Sequence, residues 1–168
     1  YYIPHSKLKD VINSNKIIKK IREVSGKTHT QAYLVGGYVR DSIMDRVKET
    51  GDIDISVIGD GIAFAESVAA EFGTKLSAVY RKFGTAMLEV EGYKVEFASA
   101  RKESYSSDSR KPTIEFADLK EDLSRRDFTI NALAVSLNES NTEIIDLFGG
   151  ETDIKEKTLR TPLDPIET

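Results

Sequence analysis

The sequence predicts one domain of the α/β or α+β class, a small mixed β-sheet with flanking helices. Three observations carry that expectation. Apolar residues recur at helical spacing near the N-terminus, polar and apolar residues alternate over 52–58, and two strand-like runs meet at Glu91-Gly92. In order, residues 15–24 place Ile17, Ile18, Ile21 and Val24 on one helical face, with Gly26 as the expected stop. Residues 31–35 read as a short buried strand running into Gly36-Gly37, and a helix is expected over 38–46. Over 52–58, Asp52, Asp54 and Ser56 share one face of a half-buried strand, with Ile53, Ile55 and Val57 on the other. Asp60 caps a helix whose stripe of Ile62, Ala65, Ala69 and Phe72 ends at Gly73. Strands are expected over 75–83, 85–90 and 93–100, the last two forming a hairpin through Glu91-Gly92. Residues 103–112 read as a polar loop, 119–131 as a helix followed by a strand, 143–148 as another strand, and 152–159 as a last amphipathic helix.

A chain of 168 residues is one ordinary domain's length, and 39% hydrophobic with 31% charged residues excludes the disordered and fibrous classes. With no cysteine there is no disulfide framework or thiolate metal site, in keeping with a reducing, cytoplasmic compartment. His5 and His29 lack ligand-like spacing, so no zinc site is expected. No apolar run approaches a membrane span and no signal-peptide pattern opens the chain, so no membrane partner is expected. The net charge of −4 argues against a strong autonomous nucleic-acid binder. Carboxylates awaiting divalent cations and an ordinary acidic surface both fit that charge.

The chemical signal begins at Asp52-Ile53-Asp54. Residues two apart on a strand project from one face, about 6–7 Å apart along the backbone. Two such anions repel, and a hard divalent cation such as Mg²⁺ removes the penalty. An isolated Asp-x-Asp is more often a solvated surface pair, so context decides. Upstream, Gly36-Gly37 stands at a strand-to-helix junction, where glycine permits close backbone approach and free N–H groups suit phosphate; Arg40 lies on the first helical turn. Alone, the diglycine is an ordinary turn and Arg40 a solvated helix charge. Glu96 sits on a later strand with Val95 and Phe97 facing away. If that strand neighbours the first, three acids share a face, an arrangement used around two metals for in-line phosphoryl or nucleotidyl transfer.

The run Leu34-Val35-Gly36-Gly37-Tyr38-Val39-Arg40-Asp41 followed by Asp52-Ile53-Asp54-Ile55 resembles class II tRNA nucleotidyltransferases (CCA-adding enzymes) and bacterial poly(A) polymerases. The likeness continues through Gly84-Thr85-Ala86, Val95-Glu96-Phe97 and Arg125-Arg126-Asp127-Phe128-Thr129-Ile130-Asn131-Ala132, then Ile145-Asp146-Leu147-Phe148-Gly149-Gly150 and Leu159-Arg160-Thr161-Pro162. The resemblance implies a polymerase β-like head over 31–160, after a helical extension over 1–30 and before a connector over 161–168. It implies Asp52 and Asp54 as ligands of two Mg²⁺ ions, with Mn²⁺ as a substitute, and Glu96 as the third catalytic carboxylate. It implies Gly36, Gly37 and Arg40 at the triphosphate, Arg126 on the nucleotide, and Asp127 and Asn131 in the ribose pocket. The competing reading of that last segment is an Asp122–Arg126 helix ion pair among ordinary polar neighbours.

The implied partners are ATP, CTP and the 3′ end of tRNA, and the implied activity is CCA addition, with A-only addition, C-only addition or poly(A) synthesis as relatives. Three departures from the pattern stand out: a longer spacer over 46–51, Leu147 in place of a common proline, and no neck, body or tail after Thr168, the regions that choose base and hold RNA. A chain opening on Tyr1 also reads as trimmed. Two rival readings use the same fold: a small-molecule nucleotidyltransferase, and a binding module without catalysis.

Overall fold

The structure, a computed structural model, describes residues 9–10, 12–44, 51–105, 112–116, 118–138 and 144–162. Its strands are β1 (Gln31–Val35), β2 (Gly51–Ile58), β3 (Ala78–Tyr80), β4 (Thr85–Val90), β5 (Tyr93–Ser99), β6 (Arg101–Tyr105), β7 (Pro112–Phe116), β8 (Leu133–Ser136) and β9 (Ile144–Asp146). Its helices are α1 (Lys16–Thr28), α2 (Gly37–Ile43), α3 (Gly61–Glu71), α4 (Leu119–Ser124) and α5 (Gly150–Lys155). Seven strands make one mixed sheet in the order β3-β4-β5-β2-β1-β8-β9, with β6 and β7 paired separately. Strands β2 and β5 run parallel, and the other neighbours in the large sheet are antiparallel. This is the expected α/β class.

The two faces of the sheet differ. Helices α1 and α3 bury Ile17, Ile21, Phe64 and Val68 against Ile53, Ile55, Val95 and Phe97 on one face. Phe64 meets Phe97 edge-on at 5.8 Å between ring centres. On the opposite face a single row crosses all seven strands: Ile145, Ala134, Val35, Asp54, Glu96, Met87 and Ala78. Among the described residues, apolar packing covers the β1–β8 side of that row, where Leu123 of α4 packs with Val35 and Ala134. The apolar cover stops at β1. Asp54 and Glu96 are the first side chains beyond it.

Local chemistry explains where elements depart from expectation. Helix α1 passes through Gly26 and ends at His29, which adopts φ 53°; one helical glycine costs only about 1 kcal/mol, and the buried stripe outweighs it. The strand expected over 75–83 is confined to Ala78–Tyr80 and gives way to a 3₁₀ turn over Arg81–Phe83. Residues 103–105 and 112 of the expected loop belong instead to the paired strands β6 and β7. The expected 119–131 helix stops at Ser124 and resumes only as a 3₁₀ turn over Thr129–Asn131. Asp127 there accepts the Phe128 N–H at 2.8 Å, and the Thr129 N–H goes to the Arg160 carbonyl, also at 2.8 Å, so both leave the helical ladder. The expected 38–46 helix ends at Ile43; Val47 and most of the 46–51 spacer lie outside the described residues, as do 106–111 and the end of the connector. No helix among the described residues is long and apolar enough to cross a membrane.

Helix α5 begins two residues before the sequence expectation, because Asp146 accepts the Gly150 N–H at 2.7 Å and the Glu151 N–H at 3.0 Å. Gly150 then lies against the Thr129 carbonyl, where an added Cβ would stand 2.3 Å from that oxygen. Gly150→Ala is therefore expected to destabilise the chain by about 1–3 kcal/mol. Thermal denaturation reads the effect, and an unchanged melting temperature would remove this packing role.

Candidate active site

The site is built on β2. Alternation puts Asp52, Asp54 and Ser56 on the half-covered face, while Ile53, Ile55 and Val57 are buried in the main core. Because β5 runs parallel to β2 in register Asp54↔Glu96, the three carboxylates share that face, Asp52 lying opposite Lys94. Burial pushes the Asp54 carboxyl above its usual range; Glu96 and Asp52 push the same way, and Arg126 opposes them. As placed, no three His, Cys, Asp or Glu side chains among the described residues form a ready metal nest. The trio meets in face and register, and its excess negative charge is what a hard divalent cation would neutralise.

Gly36 sits at the end of β1, with φ 74° and its N–H on the Leu133 carbonyl at 3.3 Å. A Cβ there would lie 3.2 Å from Asp54 Oδ2 and 3.6 Å from Arg126 Nη1. Glycine thus lets the turn, the carboxylate and the guanidinium crowd one spot. Gly37 opens α2, where a Cβ would stand 3.3 Å from Arg40 Nη2.

A chain of polar contacts ties the two arginines of the β1 side into place. Arg40 donates to Asn131 Oδ1 at 2.7 Å and to its neighbour Asp41 at 3.0 Å. Asn131 Nδ2 donates to Asp127 Oδ1 at 3.0 Å, which together with the Phe128 N–H holds the exposed Asp127 carboxyl below its usual range. The amide of Asn131 thus bridges Arg40 and Asp127, and the two residues meet across a broken helix rather than along an intact one. Arg126 Nη2 lies 3.5 Å from Asp122 Oδ2, and Ser56 Oγ donates to the same oxygen at 3.1 Å.

The structure therefore brings Gly36, Gly37, Arg40, Arg126, Asp127 and Asn131 to the β1 side of Asp54, with Glu96 on its other side. The sequence reading gives Ser56 and Asp122 no task in the site, taking the first as strand alternation and the second as the competing helix ion pair with Arg126, which the structure does contain at 3.5 Å. The first continues the Asp52, Asp54 alternation, and the second stands at i→i+4 from Arg126; both patterns are common enough to be discounted. It also passed over Asp153, which is buried and accepts from both Thr129 Oγ1 and Arg160 Nε, pinning the 3₁₀ turn that carries Asn131.

Residues 32–160 match the family described as the poly(A) polymerase head domain. The A-adding tRNA nucleotidyltransferase of Geobacter sulfurreducens is 45% identical over 146 residues, which cover 86% of this chain and 16% of that protein. A solved CCA-adding enzyme in an apo form superposes with a TM-score of 0.79 at 34% identity, covering 96% of this chain and 39% of that one. A tRNA nucleotidyltransferase solved with a primer tRNA and an incoming ATP analogue superposes with a TM-score of 0.70 at 40% identity, covering 85% of this chain and 39% of that one. The chain thus spans well under half the length of each of these proteins.

Proposed function

The chain belongs to the poly(A) polymerase head-domain family, and from that premise we propose that the whole protein transfers CMP and AMP from CTP and ATP to the 3′ end of tRNA. The observation that supports this most is the adjacency of Asp54 and Glu96 in register, with Arg126 and the Gly36-Gly37 turn on the opposite side of Asp54. One side gathers carboxylates and suits cations; the other presents the guanidiniums of Arg40 and Arg126, each held by an aspartate, and suits a triphosphate.

In this reading Asp52 and Asp54 hold divalent cations, Mg²⁺ or Mn²⁺, with Glu96 completing the set. Such ions would activate the 3′-hydroxyl and stabilise the leaving pyrophosphate. Arg40 and Arg126 bind and orient the triphosphate. Glu96 orients the hydroxyl and takes its proton as the 3′ oxygen bonds to the α-phosphorus and the bond from that phosphorus to the β-phosphate bridge breaks. Asn131 and Asp127 line the ribose side. Arg40 is kept in place by Asn131.

A-only addition is a second reading, favoured by the 45% identity to an A-adding enzyme. Incubating the whole protein with tRNA lacking its 3′ CCA and, separately, with tRNA already ending in its two cytidines, with CTP and ATP supplied separately and together, distinguishes the two. CCA addition needs both nucleotides; A-only addition proceeds with ATP once the two cytidines are present. No incorporation under any of these conditions would defeat both.

A further inference from the structure

The covered and open parts of the catalytic face define a direction. Arg126 and the Gly36-Gly37 turn occupy the β1 side of Asp54, so a nucleotide held there leaves the hydroxyl to approach from the Glu96 side, since nucleophile and leaving group lie in line. Beyond Glu96 the same face continues over Met87 of β4 and on to β3, the edge strand. Two residues along the strands, Ala98, Thr85 and Tyr80 continue the parallel row that runs through Ser136, Tyr33 and Ser56. Tyr80 therefore projects on the carboxylate face, about 10 Å from the strand of Glu96 by two strand spacings.

Tyr80 is 51% exposed and Phe83 47%, among the few large hydrophobic side chains so displayed in the described residues. Between them stand Arg81 and Lys82, both exposed, with Lys82 Nζ 6.0 Å from the Phe83 ring centre. Two adjacent cations flanked by aromatic rings at the edge strand of an otherwise acidic chain fit single-stranded nucleic acid, whose bases stack and whose phosphates need positive charge.

We infer that the β3 edge, through Tyr80 with Arg81 and Lys82, binds the acceptor RNA strand immediately behind its 3′ terminus. Tyr80 stacks a base and the two cations meet the phosphates. This rests on the nucleotidyl-transfer reading above, because that reading places the attacking hydroxyl at Glu96.

The test is an amide NMR titration of the ¹⁵N-labelled 168-residue chain with the RNA trinucleotide CCC in Mg²⁺, run beside a separate titration with ATP. The RNA is expected to shift amides of residues 78–87, and Tyr80→Ala to weaken its binding about tenfold while Tyr80→Phe keeps it. Arg81→Ala with Lys82→Ala is expected to lower the salt slope of RNA binding by about 0.7 per cation. ATP is expected to shift 36–40 and 126–131 in every variant. If ATP fails to shift those residues in the unsubstituted chain, the nucleotidyl-transfer reading falls. If ATP binds but RNA leaves 78–87 unmoved, shifts residues elsewhere or ignores Tyr80→Ala, only the acceptor surface falls. Substitutions that change self-association in sedimentation but not RNA binding would make β3 a pairing edge between copies and overturn the inference.

Discussion

Asp54→Asn is expected to lower nucleotide transfer by about 10³-fold or more while leaving the fold intact or firmer. The activity loss follows from charge: a cation-binding oxygen beside the reacting phosphate is worth several kcal/mol of transition-state stabilisation, and each 1.4 kcal/mol is about tenfold. The fold survives because Asp54 stabilises little as a charge. It is half-buried, it faces Glu96 and Asp52, and the nearby countercharge acting on it is Arg126. The linkage sign follows. With the folded carboxyl raised above its unfolded value, the native chain binds its proton more tightly than the unfolded chain does. Without divalent cations, stability should therefore rise as pH falls from above the raised value toward the ordinary carboxylate range, and Asp54→Asn should remove that slope. Chemical denaturation across pH, with and without Mg²⁺, reads the stability; gel-resolved primer extension by the whole protein reads the activity. Extension at the unsubstituted rate would end the case for Asp54 as a cation ligand.

Arg126→Ala carries the second large effect. Its guanidinium lies beside the position a Gly36 Cβ would take and acts electrostatically on Asp54. Loss of a charged hydrogen-bonding group from a phosphate site costs about 1.5–3 kcal/mol, so ATP affinity should fall by about 10- to 100-fold. The same change strips Asp54 of a countercharge, so the metal-free chain should lose stability as well. Asp122→Asn should move ATP affinity in the same direction by less, because Asp122 acts through Arg126, which it meets at 3.5 Å. In the Arg126→Ala background it should then do almost nothing, a non-additivity that marks residues acting as one unit. Calorimetric titration of ATP into the four variants reads all of this. Equal ATP affinity in the unsubstituted and Arg126→Ala chains would show that Arg126 has some other task.

The resemblance quoted on Gly36-Gly37, Asp52, Asp54 and the Arg126–Asn131 segment pointed to the family before any coordinates, and the β2 alternation was legible because strand period is a backbone property. The break at Asp127 was not. Its apolar and polar spacing suits a helix, and what overrides it is the Arg160 carbonyl claiming the Thr129 N–H from far along the chain. Ser56 was read as strand patterning, and its task became visible only when α4 laid Asp122 above it.

Local spacing was enough to put Asp52, Asp54 and Ser56 on one side of a strand and to expect a cap at Asp60, since both depend on neighbours within a few bonds. Whether Glu96 joins them is not decided locally, because nothing near Glu96 in the chain refers to β2. That was resolved by burying Val95 and Phe97 against the same helices that bury Ile53 and Ile55. With those apolar side chains inward and the strands in register, Glu96 can point only to the side of Asp54. A slip of one residue would turn every side chain of the strand over, and the core would not permit it.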